Sequence, residues 1–259
     1  MRPGWNPTRR NKHVGTKAHG HGSNNKFVIP ESWHKSKCFY ECLNSYVLVT
    51  RFVGNRDLHF FVEPTKQNWF YPCTIDDICA VLAHCPLNDI SVFDFIVLRQ
   101  PTRKQHILSP VWGRAIFSFD ISSYSGTAVI LEAQNLTPII WGSSIRPEFS
   151  RELDRLRADG HEVCRTRHEI KIHVTPNSLR NTLLYRTLLH EIGHHIDYKR
   201  WPESEWRNRT RTEKEDYAYR YADKTFQALQ QKGIVPFNPI VNLQSLEKDR
   251  LSLAWFCPP

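Results

Sequence analysis

His190-Glu191-Ile192-Gly193-His194 is the stretch of this 259-residue chain that most strongly constrains its fold and chemistry. Its pattern is H-E-x-x-H, and it lies late in a predicted helix that spans about 178–198. Residues four apart share one face of a helix, so both histidines can direct their imidazoles at one ion. Two neutral nitrogen ligands with a carboxylate beside them suit zinc and a general base. The pattern therefore predicts a zinc-dependent hydrolase, and most simply a peptidase.

The alternative interpretation of this pattern is a surface helix whose histidines are merely polar. Apolar residues at four-residue spacing favour burial instead, and His190 and His194 flank that apolar stripe. Gly193 costs a helix about 1 kcal/mol relative to alanine, so we expect a neighbouring strand or the substrate to approach closely there. The stripe consists of Leu184, Leu188, Ile192 and Ile196.

A catalytic zinc usually has three protein ligands and one open position. No histidine follows His195, so a downstream third ligand must be an acidic residue, a tyrosine or Cys257. The metzincin pattern requires a glycine and a histidine where this chain has Asp197 and Arg200. That class is therefore excluded.

A second helical pattern covers 212–231 and contains the strongest candidate for the third ligand. Glu215 falls on the apolar side of this helix, where a carboxylate is costly unless it is paired or bound to a metal. We predict Glu215 as the third ligand, with Glu213 and Asp216 as the other candidates. The alternative is a glutamate that is simply favoured by the dipole near a helix start.

His190-Glu191-x-x-His194 followed by Glu215-x-x-Ala218-x-x-Tyr221-Ala222 resembles the gluzincin branch of zinc metallopeptidases. The second element is similar to the Glu-x-x-Ala-x-x-aromatic-Ala helix of ImmA/IrrE-type peptidases and of the anthrax lethal factor catalytic domain. The likeness covers about 170–229. It departs at Tyr219, where ImmA/IrrE-type chains often carry asparagine and lethal factor carries glutamate.

The resemblance implies that His190, His194 and Glu215 bind Zn²⁺ and that Glu191 is the general base. It also implies a zincin-like fold, in which a twisted mixed sheet packs on an active-site helix and on a following glutamate-bearing helix. The substrate would be a protein or peptide.

Further site residues are expected from their positions near the ligands. Tyr219, and alternatively Tyr198, is a candidate donor to the oxyanion that forms during hydrolysis. His195 or Asp197 could orient a ligand histidine. The strand 169–174 directly precedes the helix, and we expect an edge there that holds substrate as an added strand. His173 on that strand is either a further site residue or simply solvent-facing.

The composition is that of a globular protein with one large or two small domains, since 40% of the residues are hydrophobic and 12% are aromatic. No run of about 18 apolar residues occurs, so no membrane-spanning helix is expected. The N-terminus lacks the apolar core of a secretory signal. Seven cysteines, an odd number, indicate reduced thiols and a cytoplasmic protein. Export as an effector without a signal remains open.

The formal net charge of +9 leaves a second function class open. Residues 1–26 are basic and nearly free of apolar side chains, which predicts a disordered tail that could contact nucleic acid or an acidic partner. The whole protein could accordingly be a basic nucleic-acid-binding protein with structural histidines. It could also be a catalytically inactive interaction module on a metallopeptidase fold. The intact Glu191 favours activity over that last possibility.

The predicted class is α+β, with an α/β N-terminal region at 27–105 and a zincin-like catalytic domain at 106–259. The boundary is placed in the polar, basic stretch 101–109. Within the N-terminal region, we expect a hairpin that turns at Gly54-Asn55 and a helix that Thr74 caps. Several histidines and cysteines could form a structural zinc site, although buried thiols that act as small apolar groups are the alternative. These residues are His34, Cys38, Cys42, Cys73, Cys79, His84 and Cys85.

Overall fold

The computed structural model describes residues 42–43, 45–108, 111–142 and 147–258. Residues 41–259 form one compact unit, and its described part combines helices with a five-stranded mixed sheet. The expected α+β class is confirmed at this level. The tail predicted at 1–26 lies outside the described residues.

Five strands form the main sheet: β1 (Val47–Val53), β2 (Arg56–Val62), β3 (Phe95–Arg99), β4 (Gly113–Ile121) and β5 (Tyr124–Glu132). Their order in space is β1-β2-β3-β5-β4. The pairs β1–β2 and β4–β5 are antiparallel, whereas β3 runs parallel to both of its neighbours. Among the described residues, β4 therefore lies at one edge of the sheet.

The turn between β1 and β2 confirms the predicted hairpin. Gly54 and Asn55 both have positive φ angles, 58° and 68°. Glycine and asparagine tolerate this left-handed backbone better than other residues, and the two-residue turn matches the twist of the strands. The register then pairs Val53 with Arg56 at the turn.

The helices are α1 (Ile75–Leu82), α2 (Leu87–Ile90), α3 (Arg103–Leu108), α4 (Pro147–Ala158), α5 (Pro176–Arg180), α6 (Leu188–Lys199), α7 (Glu203–Asn208), α8 (Arg211–Gln231) and α9 (Leu243–Lys248). A π-helical segment, Asn181–Thr187, joins α5 to α6, and a 3-10 turn lies at Leu253–Trp255. The Thr74 hydroxyl accepts the backbone N–H of Asp77, whose carboxylate accepts the Thr74 N–H. The predicted cap of α1 is thus confirmed.

The connection placed as a domain boundary, 101–109, contains α3 and joins two parts of the same sheet. β3 precedes this connection and β5 follows it, yet the two strands pair directly, with Phe95 opposite Ala128. Strands from both predicted regions consequently share one sheet and one compact unit.

Three further strands form a second, antiparallel sheet: β6 (Ile139–Gly142), β7 (Glu162–Arg165) and β8 (Glu169–His173). β8 is the strand on which the sequence predicts an edge for the substrate. It lies between β6 and β7, so both of its edges are already paired and that expectation is wrong. Alternation of apolar and polar residues reports the buried face of a strand but not the number of its neighbours.

The main core lies between one face of the five-stranded sheet and the helices α1, α6 and α8. Leu184, Leu188 and Ile192 of the predicted apolar stripe are completely buried there, and Ile196 is partly buried against the same core. The stripe thus fixes which side of α6 faces the sheet. None of the described helices has both the length and the hydropathy required to cross a membrane.

Candidate metal centre

The H-E-x-x-H residues lie on a continuous helical stretch that runs from α5 through the π-helical segment into α6. Thr175 caps its start, since its hydroxyl accepts the Ser178 N–H. The π-helical segment ends at Thr187, shortly before His190. π-helical segments are rare in proteins, and those that do occur are frequently found at functional sites. His190 and His194 follow one turn apart on α6, as their spacing predicted.

α6 and α8 cross at Gly193 and Ala218, and this crossing brings the third candidate ligand to the histidines. A Cβ atom at Gly193 would lie 2.9 Å from the Ala218 Cα and 3.1 Å from its carbonyl oxygen, so a glycine is required there. Glu215 precedes Ala218 by almost one turn of α8. The expected close approach at Gly193 is confirmed, although the neighbour is a helix instead of a strand or a substrate.

Three side chains from the two helices converge on one point. His194 Nε2 lies 3.1 Å from His190 Nε2. Glu215 Oε2 lies 3.3 Å from His190 Nε2 and 3.8 Å from His194 Nε2. Ligand atoms at about 2.1 Å from a tetrahedral ion are separated by about 3.4 Å, and the three spacings agree with that value within about 0.4 Å. In the described part of the chain, this is the only group of three histidine, cysteine or acidic side chains that could hold a metal ion.

The protonation of these candidate ligands suits a cation. Burial, together with the nearby His190, lowers the pKa of His194 to about 4. A hydrogen bond from His190 lowers the pKa of Glu215 from its ordinary value. Around neutral pH, His194 is therefore neutral and Glu215 is ionised, which are the forms that bind metals.

Glu191 lines the same cleft as His194 and Glu215 and is buried, with 7% of its surface exposed. Its carboxylate accepts a hydrogen bond from the backbone N–H of Ala115 in β4. Burial raises the pKa of Glu191 to about 7, and the negative charge of Glu215 acts in the same direction, against His190 and Ala115. A carboxyl group with such a pKa can both accept and release a proton near neutral pH.

Tyr219 packs against the ring of His190 and lies one turn beyond Glu215 on α8. The ring centroids of Tyr219 and His190 are 4.4 Å apart. The guanidinium carbon of Arg155 in α4 lies 3.6 Å from the centre of the Tyr219 ring, which is a cation–π contact. Burial raises the pKa of Tyr219 to about 12, so its hydroxyl keeps its proton and can donate a hydrogen bond.

The other candidates for orienting or catalytic roles have partners elsewhere. His195 Nε2 lies 3.0 Å from the carbonyl oxygen of Ala128 in β5, and Asp197 pairs with Arg209 at 2.6 Å. The hydrogen bonds of His195 and Asp197 thus anchor α6 to the sheet and to the segment before α8. Tyr198 stacks on the ring of Phe117 in β4 and contacts the ring of Trp206 in α7.

Three further predicted candidates lie away from the ligands. Glu213 belongs to the N-terminal cap of α8 through Thr210, and Asp216 is exposed. His173 faces Glu162 across β7 and β8 and is not among the residues that line the cleft beside His194 and Glu215.

A cleft of about 330 Å³ opens beside the ligands. Sequence reasoning missed the residues that β4, α7 and the first turn of α8 contribute to it. Arg211 stands four residues before Glu215, a spacing that places both on one helix face. The position of Arg211 in the cleft could therefore have been predicted from the sequence. The cleft is lined by Ala115, Phe117, Glu191, His194, Trp206, Arg211, Lys214 and Glu215.

The cysteines of the N-terminal region form no metal cluster among the described residues. Cys73 and Cys85 are buried in the main core, and burial raises the pKa of Cys85 to about 12. Their role as small apolar groups is confirmed. Two other residues of that hypothesis, His34 and Cys38, lie outside the described residues.

The likeness to gluzincins rests on residues of α6 and α8 alone. No protein-family model matches the chain, and no curated protein and no solved structure is significantly similar to it. The chemistry of the site therefore follows from its own atoms, which are two imidazoles, one carboxylate and a buried glutamate beside them.

Proposed function

We propose that this protein is a zinc-dependent metallopeptidase with a zincin-like catalytic domain, which hydrolyses peptide bonds in a protein substrate. The observation that carries the proposal is the convergence of His190, His194 and Glu215, whose ligand atoms lie 3.1 to 3.8 Å apart. Three protein ligands that leave one position open are typical of catalytic zinc sites.

The donor set favours zinc over the hard divalent cations. Magnesium and calcium select oxygen ligands, whereas imidazole nitrogens with one carboxylate suit zinc and related transition metals. Glu191 adds the second feature of a hydrolytic site, since it follows the first ligand directly and lines the same cleft.

When held by these ligands, zinc supplies Lewis acidity, which lowers the pKa of a water and polarises a carbonyl group. Glu191, which lines the same cleft as His194 and Glu215, accepts the proton of the attacking water and donates it to the leaving amine. The Ala115 N–H holds the Glu191 carboxylate in place. Tyr219 donates its hydroxyl proton in a hydrogen bond to the developing oxyanion.

The edge of the five-stranded sheet offers a place for an extended peptide. Within the described residues, β4 pairs with β5 alone, and Ala115 and Phe117 of β4 line the cleft. An added peptide strand could form main-chain hydrogen bonds along this edge. β4 thus replaces β8 as the expected substrate-binding strand.

We also propose a reducing compartment, most simply the cytoplasm. Cys73, Cys79 and Cys85 lie in or against the main core, and none of the three forms a disulfide. Reduced thiols of this kind are typical of intracellular proteins.

The function is tested by incubating the zinc-loaded protein with a random peptide mixture and identifying new termini by mass spectrometry. We expect cleavage by the wild type and a loss of at least about 10³-fold in Glu191→Gln, since the substitution removes the general base. Both proteins should bind one zinc per chain. Glu205→Gln, an exposed glutamate on α7, serves as the control and should cleave normally. Equal cleavage by Glu191→Gln, or no cleavage by the wild type, would overturn the proposal.

A further inference from the structure

We infer that the substrate carries an aspartate or glutamate side chain close to the scissile bond, and that Arg211 and Lys214 bind it. The inference rests on the proposed peptidase function and names the substrate class of the same cleft.

Arg211 and Lys214 are the two cationic residues that line the cleft. The Arg211 side chain is 92% exposed, and its Nε lies 3.7 Å from Glu215 Oε1. The Lys214 ammonium lies 3.8 Å from the centre of the Trp206 ring, and no ion pair joins it to a carboxylate of the described chain. Both cations can therefore turn toward a negatively charged side chain of the substrate.

The two carboxylates of the cleft already have their own roles. Glu215 directs Oε2 at the histidines, and Glu191 is buried and held by the Ala115 N–H. Neither can neutralise both cations as well. Glu215 pairs with Arg211, and the lining residues leave Lys214 without a carboxylate partner of its own. The cleft therefore keeps a net positive charge, which disfavours basic side chains and attracts acidic ones.

The walls of the cleft favour an acidic peptide over a nucleic acid. Phe117 contacts the Trp206 ring with centroids 4.9 Å apart, which provides an apolar surface for the methylene groups of a glutamate side chain. β4 offers peptide-type hydrogen bonds along the same cleft. A nucleic-acid backbone has no equivalent set of strand-forming groups.

The first test compares peptides that differ only by glutamate against glutamine, at each of three positions on either side of a mapped cleavage site. At low ionic strength we expect glutamate to raise kcat/KM by about fivefold at one position, which is the size of one exposed ion pair. High salt should reduce this preference, because it screens exposed charges. Equal kcat/KM at every position, with cleavage intact, would overturn this inference and leave the peptidase function standing.

Variants then assign the preference to the two side chains. Arg211→Gln combined with Lys214→Gln should abolish the preference for glutamate, and the corresponding double change to glutamate should favour lysine instead. Arg220→Glu with Lys224→Glu is the matched control, since it changes two exposed cations of the same helix and should keep the preference. A preference that survives the Arg211 and Lys214 changes would contradict their role.

A binding measurement separates this inference from catalysis. The zinc-loaded Glu191→Gln protein is titrated against a fluorescent peptide, and anisotropy gives its Kd. The glutamate-containing peptide should bind about fivefold more tightly than its glutamine counterpart. A single-stranded oligonucleotide that displaces the peptide at lower concentration than the unlabelled peptide itself would overturn the assignment to an acidic peptide. No cleavage of any peptide by the wild type would instead sink the proposed function.

Discussion

Gly193 of α6 lies so close to Ala218 of α8 that a methyl group on the glycine would be 2.9 Å from the alanine Cα. The candidate ligands His190 and His194 flank this glycine on one helix, and Glu215 precedes the alanine on the other. The contact between two small residues therefore sets the helix separation on which the spacing of His190, His194 and Glu215 depends.

Gly193→Ala should force α6 and α8 apart and weaken zinc binding. The added methyl group meets backbone atoms that cannot rotate away, and such overpacking costs about 1–3 kcal/mol, partly offset by about 1 kcal/mol of helix propensity. Competition with a chelator should show a zinc affinity reduced by about tenfold, which corresponds to 1.4 kcal/mol. Gly142→Ala is the control, because nothing lies within 4 Å of its added Cβ. Unchanged affinity in Gly193→Ala would show that the crossing does not control the site.

Tyr219→Phe should lower kcat by about 10²-fold and leave KM nearly unchanged, since an oxyanion donor acts in the transition state. The ring itself remains, so its contacts with His190 and Arg155 are kept. Steady-state kinetics on a cleaved peptide give both constants. Tyr198→Phe is the comparison, and we expect its kcat to stay close to that of the wild type. If Tyr198→Phe lowered kcat and Tyr219→Phe did not, the oxyanion donor would be Tyr198 instead of Tyr219.

The pair Asp197–Arg209 should contribute strongly to stability. Arg209 Nη1 lies 2.6 and 2.7 Å from the two Asp197 oxygens, and the Asp197 side chain is only 1% exposed. Asp197→Asn leaves the arginine without its counter-charge, so the free energy of unfolding in urea should fall by about 3 kcal/mol. Glu203→Gln breaks a pair that is mostly exposed and should cost less than about 1 kcal/mol. Similar losses in both variants would contradict this ranking.

Stability should fall as the pH decreases from about 6.5 toward 4, in part because of His161. Burial lowers the pKa of His161 from its ordinary value near 6.5 to about 4. Between these values the unfolded chain binds a proton that the folded chain rejects, so acid favours unfolding, and above about pH 7 the effect vanishes. His161→Gln should therefore reduce proton uptake on unfolding by up to about one proton.

The check is a series of urea unfolding curves between pH 5 and 7.5. His195 has a similarly low pKa, again because of burial, so part of the pH dependence should persist in His161→Gln. His168→Gln changes an exposed histidine and should leave the dependence as it is in the wild type. If the unfolding free energy of His161→Gln depended on pH as steeply as that of the wild type, the assignment of this pH dependence to His161 would be contradicted.

The grouping of His190, His194 and Glu215 could be predicted from the sequence because local spacing largely determines it. His190 and His194 are one turn apart on any helix, and Glu215 stands out as an acidic residue on an apolar helix face. Gly193 likewise signals a close contact through its position in a helix. Each of these inferences needs only the period of one element.

The remaining parts of the site depend on contacts between distant segments. Ala115 and Phe117 line the cleft because β4 lies beside β5 at the edge of the described sheet. No local sequence pattern specifies this spatial order of strands. The sequence predicts ordinary α-helix over the π-helical segment 181–187, because two turns of apolar spacing look nearly the same in both kinds of helix. Its hydrogen bonds to the segment before β7, such as Thr182 Oγ1 to Asp159 Oδ2 at 2.6 Å, are again between separate elements.

The most direct measurement for the central claim is anomalous diffraction at the zinc edge from crystals of the zinc-loaded protein. We predict one strong peak within about 2.0–2.2 Å of Nε2 of His190, Nε2 of His194 and a carboxylate oxygen of Glu215. The central claim would be contradicted by the absence of a peak or by a peak at another position. It would also be contradicted by a peak that neither Glu215 nor another acidic residue coordinates.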